Sequence, residues 1–328
     1  MFKLTLTDGR EVQAAEGQTL FAALREAGIF VPTICGGKGF CGKCRVQILA
    51  PEGIAPTPEE LKHFNQEELA AGWHLACRVA VSSDMSISLP GELKGIYLCK
   101  GTVTERELVA KDIMRVRLEL AKPLDYLPGA FVMIDGPKMF GVSRAYSIST
   151  PESSKNAVEI NVRLVPGGKL STYIHEKLAI GEELTLTAPY SGYAELKDEG
   201  ELLCVAGGSG VSPVMSLLRT LKESGFNRKV TFIYGANTAA ELPYLDELLA
   251  LQASEPNFTY LPAIATPPAE PQSYAFDTGF VTDVIAQRLT TTDNVAVYLC
   301  GSDGMIKAVT TALNAKGTPK SIFYDKFN

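Results

Sequence analysis

The sequence predicts a multidomain protein of the α+β and α/β classes, with a small β-grasp domain, an antiparallel β-barrel and an α/β domain containing a parallel sheet. Three observations predict this order. Four cysteines lie among glycines within residues 35–77, short turns separate β-branched segments in residues 92–199, and apolar strands alternate with helices from residue 200 onward. We therefore expect domains at residues 1–91, 92–199 and 200–328.

The composition is that of a globular protein without a membrane span. Of the 328 residues, 46% are hydrophobic and 21% are charged, and no apolar run is long enough to cross a bilayer. The net charge of −6 argues against nucleic acid or an anionic membrane as a partner. The chain opens directly on a predicted strand with no targeting signature, so we expect a cytoplasmic protein with reduced thiols and no membrane anchor.

The first domain is predicted to be a mixed sheet crossed by one helix. The Asp8-Gly9 dipeptide marks a hairpin turn, and Gly28 follows the end of the helix. The predicted strands cover residues 2–7, 11–14 and 85–89, and the predicted helix covers residues 19–27.

Within this domain, three of the four cysteines form the segment C-G-G-K-G-F-C-G-K-C, and the fourth lies in L-A-C-R-V, shortly after an expected surface histidine, His74. Close thiolates followed by a distant one are typical of [2Fe–2S] ligands, and the glycines allow backbone N–H groups to approach the cluster. A zinc site is the alternative, but its ligands usually form two C-x-x-C-like pairs. An odd total of seven cysteines argues against a disulfide set. The predicted ligands are Cys35, Cys41, Cys44 and Cys77.

Two motifs of the second domain predict a flavin site. The strand segment Arg144-Ala145-Tyr146-Ser147 offers a cation for a pyrophosphate, a flat ring for the isoalloxazine or ribityl group, and a hydroxyl for the reactive N5 atom. A polar barrel strand is the alternative explanation. In the second motif, Gly168 and Ser171 belong to a glycine-rich turn that opens a short helix, where free N–H groups can bind a phosphate. An ordinary turn with a serine cap is the alternative there.

The third domain is predicted to bind a dinucleotide at the carboxyl edge of its parallel sheet. Strands are expected at residues 202–206, 230–234, 258–264, 295–300 and 321–324, with helices ending at residue 221 and covering residues 239–251 and 304–315. The segment G-G-S-G-V-S-P lies between the first strand and the first helix, as a pyrophosphate-binding turn requires. Its predicted contacts are Gly207, Gly208, Gly210 and Pro213.

Two further features concern the nicotinamide nucleotide. Residues 235–246 contain two acids and no basic residue, so Asn237 or Glu241 can bind a ribose hydroxyl whereas a 2′-phosphate is repelled; this favours NADH over NADPH. Cys300 ends the fourth strand, where its thiol either packs against the nicotinamide ring or is a small core residue.

The three segments together resemble the NADH-dependent reductase components of bacterial multicomponent oxygenases, within the ferredoxin–NADP reductase superfamily. The motifs R-A-Y-S, G-G-S-G-V-S-P, C-G-S-D-G-M and the terminal F-Y-D-K-F carry the resemblance in order. It implies FAD at the Arg144 and Ser171 motifs, catalytic positions at Ser147, Cys300 and Phe327, and Phe327 close to the flavin. The cluster loop is similar to that of the flavin subunit of the sodium-translocating NADH:quinone reductase, but we do not expect the N-terminal membrane anchor of that subunit here.

This resemblance implies an NADH:acceptor oxidoreductase in which electrons pass from NADH to FAD, to the [2Fe–2S] cluster and then to a separate redox protein. The hydroxylase of a mono- or dioxygenase is the expected acceptor. The alternatives are a reductase for a corrinoid or other redox enzyme, an NADH:quinone reductase without a membrane span, and a redox sensor that is not an enzyme.

Overall fold

A computed structural model describes residues 1–33, 35–90, 97–137, 142–190 and 200–327. The chain divides into two compact units, one formed by Met1–Leu98 with Ile134–Ala145 and the other by Cys99–Met133 with Tyr146–Asn328. The predicted domain boundaries at residues 91/92 and 199/200 fall on or beside residues outside the described ranges and stay predictions. Within those ranges, no helix combines the length and the apolarity that crossing a bilayer requires.

The first unit contains the predicted mixed sheet, in the order β2-β1-β5-β3-β4. Helix α1 begins where the Thr19 side chain accepts a hydrogen bond from Ala22 N, and it packs Leu20, Phe21 and Leu24 into the core. The strands are β1 Phe2–Leu6, β2 Glu11–Ala14, β3 Arg45–Ala50, β4 Trp73–Leu75 and β5 Met85–Ser88, and the helices are α1 Leu20–Glu26 and α2 Gln66–Ala70.

The barrel sheet has the order β10-β7-β6-β11-β8-β9. Its two outer strands approach each other through an antiparallel bridge between Ile148, just after β9, and Ile160 in β10, which closes the barrel. Its strands are β6 Tyr97–Ala110, β7 Ile113–Leu120, β8 Phe131–Asp135, β9 Ser143–Ser147, β10 Ala157–Arg163 and β11 Glu183–Tyr190, and helix α3 is Lys169–Glu176.

The α/β part is an all-parallel sheet in the order β15-β14-β13-β12-β16-β17. Its carboxyl edge therefore gathers the ends of every strand, including Gly207 and Gly301. The strands are β12 Leu202–Gly207, β13 Val230–Ala236, β14 Phe258–Ile264, β15 Asp277–Thr278, β16 Ala296–Gly301 and β17 Ser321–Lys326. The helices are α4 Val211–Ser224, α5 Leu245–Ser254, α6 Val281–Arg288 and α7 Asp303–Asn314.

A partly buried cluster of charged side chains joins the barrel to the α/β part of the second unit. The Arg219 guanidinium of α4 donates to Glu159 Oε2 at 2.8 Å and to the Ser149 carbonyl at 3.0 Å, and it forms two 2.8 Å bonds with Glu247 of α5. Burial alone lowers the pKa of Arg219, but the hydrogen bonds and charges of Glu247 and Glu159 outweigh it and raise that pKa. Ser216 adds a 2.7 Å bond to the carbonyl of Thr150. These contacts therefore hold the barrel in a defined orientation relative to the parallel sheet.

The predicted fold class is confirmed, with two differences in the α/β part. The helix expected from residue 239 begins at Leu245. Pro243 disfavours a helical residue before it, and Tyr244 adopts a left-handed conformation with φ 55°, so only a short 3₁₀ turn, Ala239–Glu241, forms upstream. Strand β15 and helix α6 were not predicted, because the first is only two residues long and the second only eight.

Candidate iron–sulfur and nucleotide sites

The four predicted cluster ligands lie in two close pairs. Cys35 Sγ is 3.4 Å from Cys41 Sγ, and Cys44 Sγ is 3.3 Å from Cys77 Sγ. When two sulfurs bind one tetrahedral metal through metal–sulfur bonds of about 2.3 Å, the sulfurs lie about 3.8 Å apart. Both observed Sγ–Sγ distances are close to this value. Among the described residues, no group of three or more His, Cys, Asp or Glu side chains gathers around a single ion. Two thiolates on each of two irons is the arrangement that a [2Fe–2S] cluster needs.

The pKa values of Cys35, Cys44 and Cys77 also fit ligands of iron cations. Burial raises the pKa of Cys35, but backbone N–H groups of Phe40, Cys41 and Lys38 outweigh it and lower that pKa to about 6. In the other pair, the hydrogen bond to Cys77, with burial, raises the pKa of Cys44 well above its ordinary value, while the same bond lowers the pKa of Cys77. A raised pKa favours the protonated thiol of Cys44, and a bound metal cation opposes this effect by stabilising the thiolate.

The cluster loop is held down by Arg78, which follows Cys77. Its Nη2 atom donates to the Lys38 carbonyl at 2.6 Å, and its guanidinium lies across Gly39. Gly39 has φ +83°, and a Cβ there would lie 2.2 Å from Arg78 Nε, so this position requires glycine. Arg78 Nε is buried and has no hydrogen-bond partner in the part of the chain that the structure describes, which leaves a donor beside the loop.

A buried carboxylate, missed by the sequence analysis, supports the strand that leads to Cys77. Glu60 Oε1 accepts from Leu75 N at 2.7 Å and lies 3.1 Å from His74 Nδ1, and Glu60 Oε2 accepts from Thr57 N at 2.7 Å. The side chains of Glu60 and His74 are 1% and 3% exposed. The expectation of a surface histidine at position 74 is therefore wrong, because the segment before α2 folds over β4 and covers its ring.

Strand β9 carries the predicted flavin motif, and its residues fall in both compact units. Tyr146 and Ser147 are half-buried and belong to the second unit. Arg144 belongs to the first unit, where its Nη1 atom donates to the Ser143 carbonyl at 2.8 Å and would lie 3.7 Å from a Cβ on Gly36. The arginine therefore lies next to the cluster loop, and contacts of these side chains with a flavin stay predictions.

The glycine-rich turn after β10 opens helix α3 as predicted, with Gly168 at its N-cap. The Ser171 hydroxyl accepts from Val165 N at 3.2 Å and donates to the Gly168 carbonyl at 3.3 Å, and Ser171 is 7% exposed. In this structure the hydroxyl therefore stabilises the turn itself. The helix N-terminus still presents N–H groups, and a phosphate contact there stays a prediction.

At the carboxyl edge of the parallel sheet, Gly207, Gly208 and Gly210 form the turn between β12 and α4. A Cβ on Gly210 would lie 2.3 Å from the Cys300 carbonyl oxygen, so the backbones of β16 and this turn touch. Pro213 lies in the first turn of α4, where its missing N–H leaves no unpaired donor. The turn is bare backbone in front of a helix N-terminus, which suits a dinucleotide phosphate.

Two observations beyond the predicted residues support this nucleotide site. The buried Ser212 hydroxyl at the start of α4 has no hydrogen-bond partner within the described ranges, so a donor is left at the helix N-terminus. Arg163, at the end of β10, approaches Gly208: a Cβ there would lie 3.4 Å from Arg163 Nη1. Asp112 holds Arg163 by a 2.7 Å ion pair, which raises the pKa of the guanidinium. Sequence analysis missed Arg163 because it belongs to the barrel.

Asn237 and Glu241 lie together at the end of β13, as the sequence indicated. Both the backbone N and the Nδ2 of Asn237 donate to Glu241 Oε2 at 3.1 Å. The barrel approaches them too, since Lys111 N donates to the Ala240 carbonyl at 2.9 Å. The charge of Glu241 also adds to the larger effect of Asp112 in raising the pKa of Arg163. The charge argument considered only residues 235–246, and Arg163 is a basic residue outside that segment that lies close enough to interact with Glu241.

Cys300 and Phe327 lie close together at the same sheet edge. The Cys300 thiol is fully buried, and burial raises its pKa well above the ordinary value. Phe327 N donates to the Gly301 carbonyl at 3.0 Å, and its half-buried side chain packs against the core that contains Cys300. The structure thus places Cys300 as a core residue, and its contact with a nicotinamide ring stays a prediction, as does that of Phe327 with a flavin.

Comparisons with known proteins show which domain families the chain contains. Residues 5–82 match the family model of the 2Fe-2S iron-sulfur cluster binding domain, residues 100–194 that of the oxidoreductase FAD-binding domain, and residues 204–311 that of the oxidoreductase NAD-binding domain. The chain is 33% identical to the propane 2-monooxygenase reductase component of Mycolicibacterium goodii, over 97% of this chain and 94% of that protein.

A second relative and a solved structure also cover almost the whole chain. The F subunit of the Na(+)-translocating NADH-quinone reductase of Idiomarina loihiensis is 30% identical over 98% of this chain and 89% of that protein. The crystal structure of the Amycolatopsis cytochrome P450 reductase GcoB is similar with a TM-score of 0.75 and 28% identity, covering 100% of this chain and 99% of that chain.

Proposed function

Since the chain belongs to the family of NADH-dependent reductases that join a [2Fe–2S] domain, an FAD-binding domain and an NAD-binding domain, we propose that it is the reductase component of a multicomponent oxygenase. The resemblance inferred from motifs is confirmed, and the protein is an oxidoreductase that uses a [2Fe–2S] cluster, FAD and NADH. The oxygenase partner is inferred from the full-length similarity to the propane 2-monooxygenase reductase component.

The observation that carries the proposal is the presence, in one polypeptide, of two cysteine pairs and a glycine turn at a helix N-terminus that suits a phosphate. A bound flavin takes two electrons together from NADH and releases them singly, and an iron–sulfur cluster carries one electron at a time. The protein's own groups suit these centres: the paired thiols would bind the irons, and the turn at Gly207–Gly210 with Ser212 would hold a phosphate. Arg78 fixes the cluster loop.

Removal of one cluster ligand tests the order of electron transfer. In the Cys77→Ala variant we expect NADH-driven reduction of ferricyanide to continue, because it needs only the flavin, and cytochrome c reduction to be abolished. The matched control is Cys99→Ala, which removes a buried thiol of β6 outside the cluster loop and should keep both activities. Persistence of cytochrome c reduction in Cys77→Ala contradicts the proposed order.

A quinone is the second candidate acceptor, favoured by the similarity to the Na(+)-translocating NADH-quinone reductase. NADH oxidation by the purified protein with a short-chain quinone, compared with turnover of proteins captured from the native host, separates the two. Capture of an oxygenase component whose turnover depends on this chain supports the first candidate. Capture of a corrinoid protein supports a corrinoid reductase, and a partner that responds to cluster state without turnover supports a redox sensor.

We also propose a cytoplasmic location. None of the seven cysteines forms a disulfide, which is the usual state of cysteines in the reducing cytoplasm. Fractionation of the native host, with the chain detected by antibody, tests this expectation.

A further inference from the structure

The surface above the cysteine pairs has an unusual composition. Between Cys35 and Cys44, every residue is glycine or cysteine except Lys38, Phe40 and Lys43, and all three of these side chains are exposed. We call this surface the cluster-loop face and define it as Lys38, Phe40, Lys43 and Arg78.

Phe40 projects into solvent, with 73% of its surface exposed. It directly precedes the cluster ligand Cys41. Burying an aromatic ring stabilises a fold, so the exposed ring of Phe40 contributes little to the stability of this one. Exposed aromatic side chains with polar surroundings are typical anchors of protein–protein contacts.

The charge of the face is opposite to that of the chain. Lys38, Lys43 and Arg78 are cationic, whereas the chain has a net charge of −6. Arg78 is fixed by its 2.6 Å bond to the Lys38 carbonyl, and Glu59 Oε1 lies 3.7 Å from Arg78 Nη2. The two lysine side chains are exposed, so the positive potential faces solvent.

We infer that the cluster-loop face is the docking surface for the electron acceptor, a protein whose own redox centre lies beneath an acidic surface with an apolar recess. The inference rests on the proposed function, since a cluster that reduces a separate protein has to be approached through the loop covering it. Cations around the rim steer an acidic partner into encounter, and Phe40 provides the apolar contact that holds it.

The test uses the full-length holoprotein and two haem proteins of opposite charge as probes, acidic cytochrome b5 and basic cytochrome c. The cluster-free Cys77→Ala variant, in which no reduction of either haem protein is expected, serves as the blank. For Lys38→Glu/Lys43→Glu, we expect kcat/KM for cytochrome b5 to fall about tenfold at low ionic strength, the loss to shrink in high salt, and kcat/KM for cytochrome c to rise.

Phe40→Ala should weaken cytochrome b5 binding about tenfold at both ionic strengths, measured by titration calorimetry without NADH, because its contribution is apolar. The matched control is Lys3→Glu, a charge reversal on β1, which β5 separates from β3 in the sheet. It should leave both rates unchanged.

A zero-length carbodiimide cross-link between the holoprotein and cytochrome b5 provides a readout independent of turnover. Mass spectrometry should find Lys38 or Lys43 joined to an acidic residue of the probe. Cross-links that avoid both lysines, or equal losses with both haem proteins in the charge-reversal variant, overturn the inference. Failure of NADH to bleach the cluster of the wild-type protein overturns the proposed function instead, so the two failures are distinguishable.

Discussion

The buried carboxylate of Glu60 should be the most sensitive single position in the first unit. In Glu60→Ala, the Leu75 N–H and the His74 ring lose their hydrogen-bond partner. Water cannot replace that partner easily, because Leu75 and His74 are only 0% and 3% exposed. A buried donor without a partner costs about 1–3 kcal/mol. Removing the desolvated charge of Glu60 recovers part of the cost of two such donors, so the free energy of unfolding should fall by about 3 kcal/mol. With an m value of about 1–1.5 kcal/mol/M, this lowers the urea midpoint by about 2–3 M.

The assay is anaerobic urea unfolding of the holoprotein, followed by the visible circular dichroism of the cluster. Glu60→Gln keeps an oxygen for Leu75 N but turns an NH₂ group toward Thr57 N, so about half of the loss is expected. Glu52→Ala removes an exposed carboxylate of the same segment and should change the midpoint little. An unfolding midpoint of Glu60→Ala within error of the wild type refutes the reasoning.

The described contacts lead to three further predictions. Burial raises the pKa of Glu60, but its hydrogen bonds outweigh this effect and hold the pKa below its ordinary value. The stability that Glu60 adds should therefore be complete above the unfolded pKa of about 4.3 and disappear as the pH falls through the folded pKa. The urea midpoints of wild type and Glu60→Ala should converge over that range. Gly210→Ala should destabilise the protein by about 1–3 kcal/mol and impair NADH binding, because its Cβ would lie 2.3 Å from a backbone oxygen, whereas Gly304→Ala has open space and should be neutral in thermal unfolding. Arg163→Gln should raise the KM for NADH about tenfold with little change in kcat, and an unchanged KM in steady-state kinetics contradicts a phosphate-binding role for Arg163.

The local motifs could be predicted from sequence because neighbouring residues alone determine them. The spacing of Cys35, Cys41 and Cys44 in a glycine-rich loop needs no tertiary information to indicate a cluster, and the pairs observed at 3.4 Å and 3.3 Å fit it. The turn between β12 and α4 was likewise placed correctly, because strand, glycines and helix follow each other directly in the chain.

Other parts of the sites come from residues that are distant in the chain. Arg163 reaches Gly208 only because the barrel packs against the sheet edge, and Glu60 reaches His74 only because an irregular segment folds over β4. Neither contact has a periodic or motif signal. The charge argument for NADH used only residues 235–246 for the same reason, and it missed the approach of a barrel arginine.

The sequence by itself determined which cofactors the protein uses and the order of its fold types, because thiol spacing, glycine turns and strand–helix alternation are properties of contiguous residues. Only the tertiary structure decided that Cys300 is a buried core thiol and that Glu60 supports the strand before Cys77. It also decided that the Arg78 guanidinium packs against Gly39. Burial and hydrogen bonding depend on which segments meet in space, and packing of the whole chain sets those meetings.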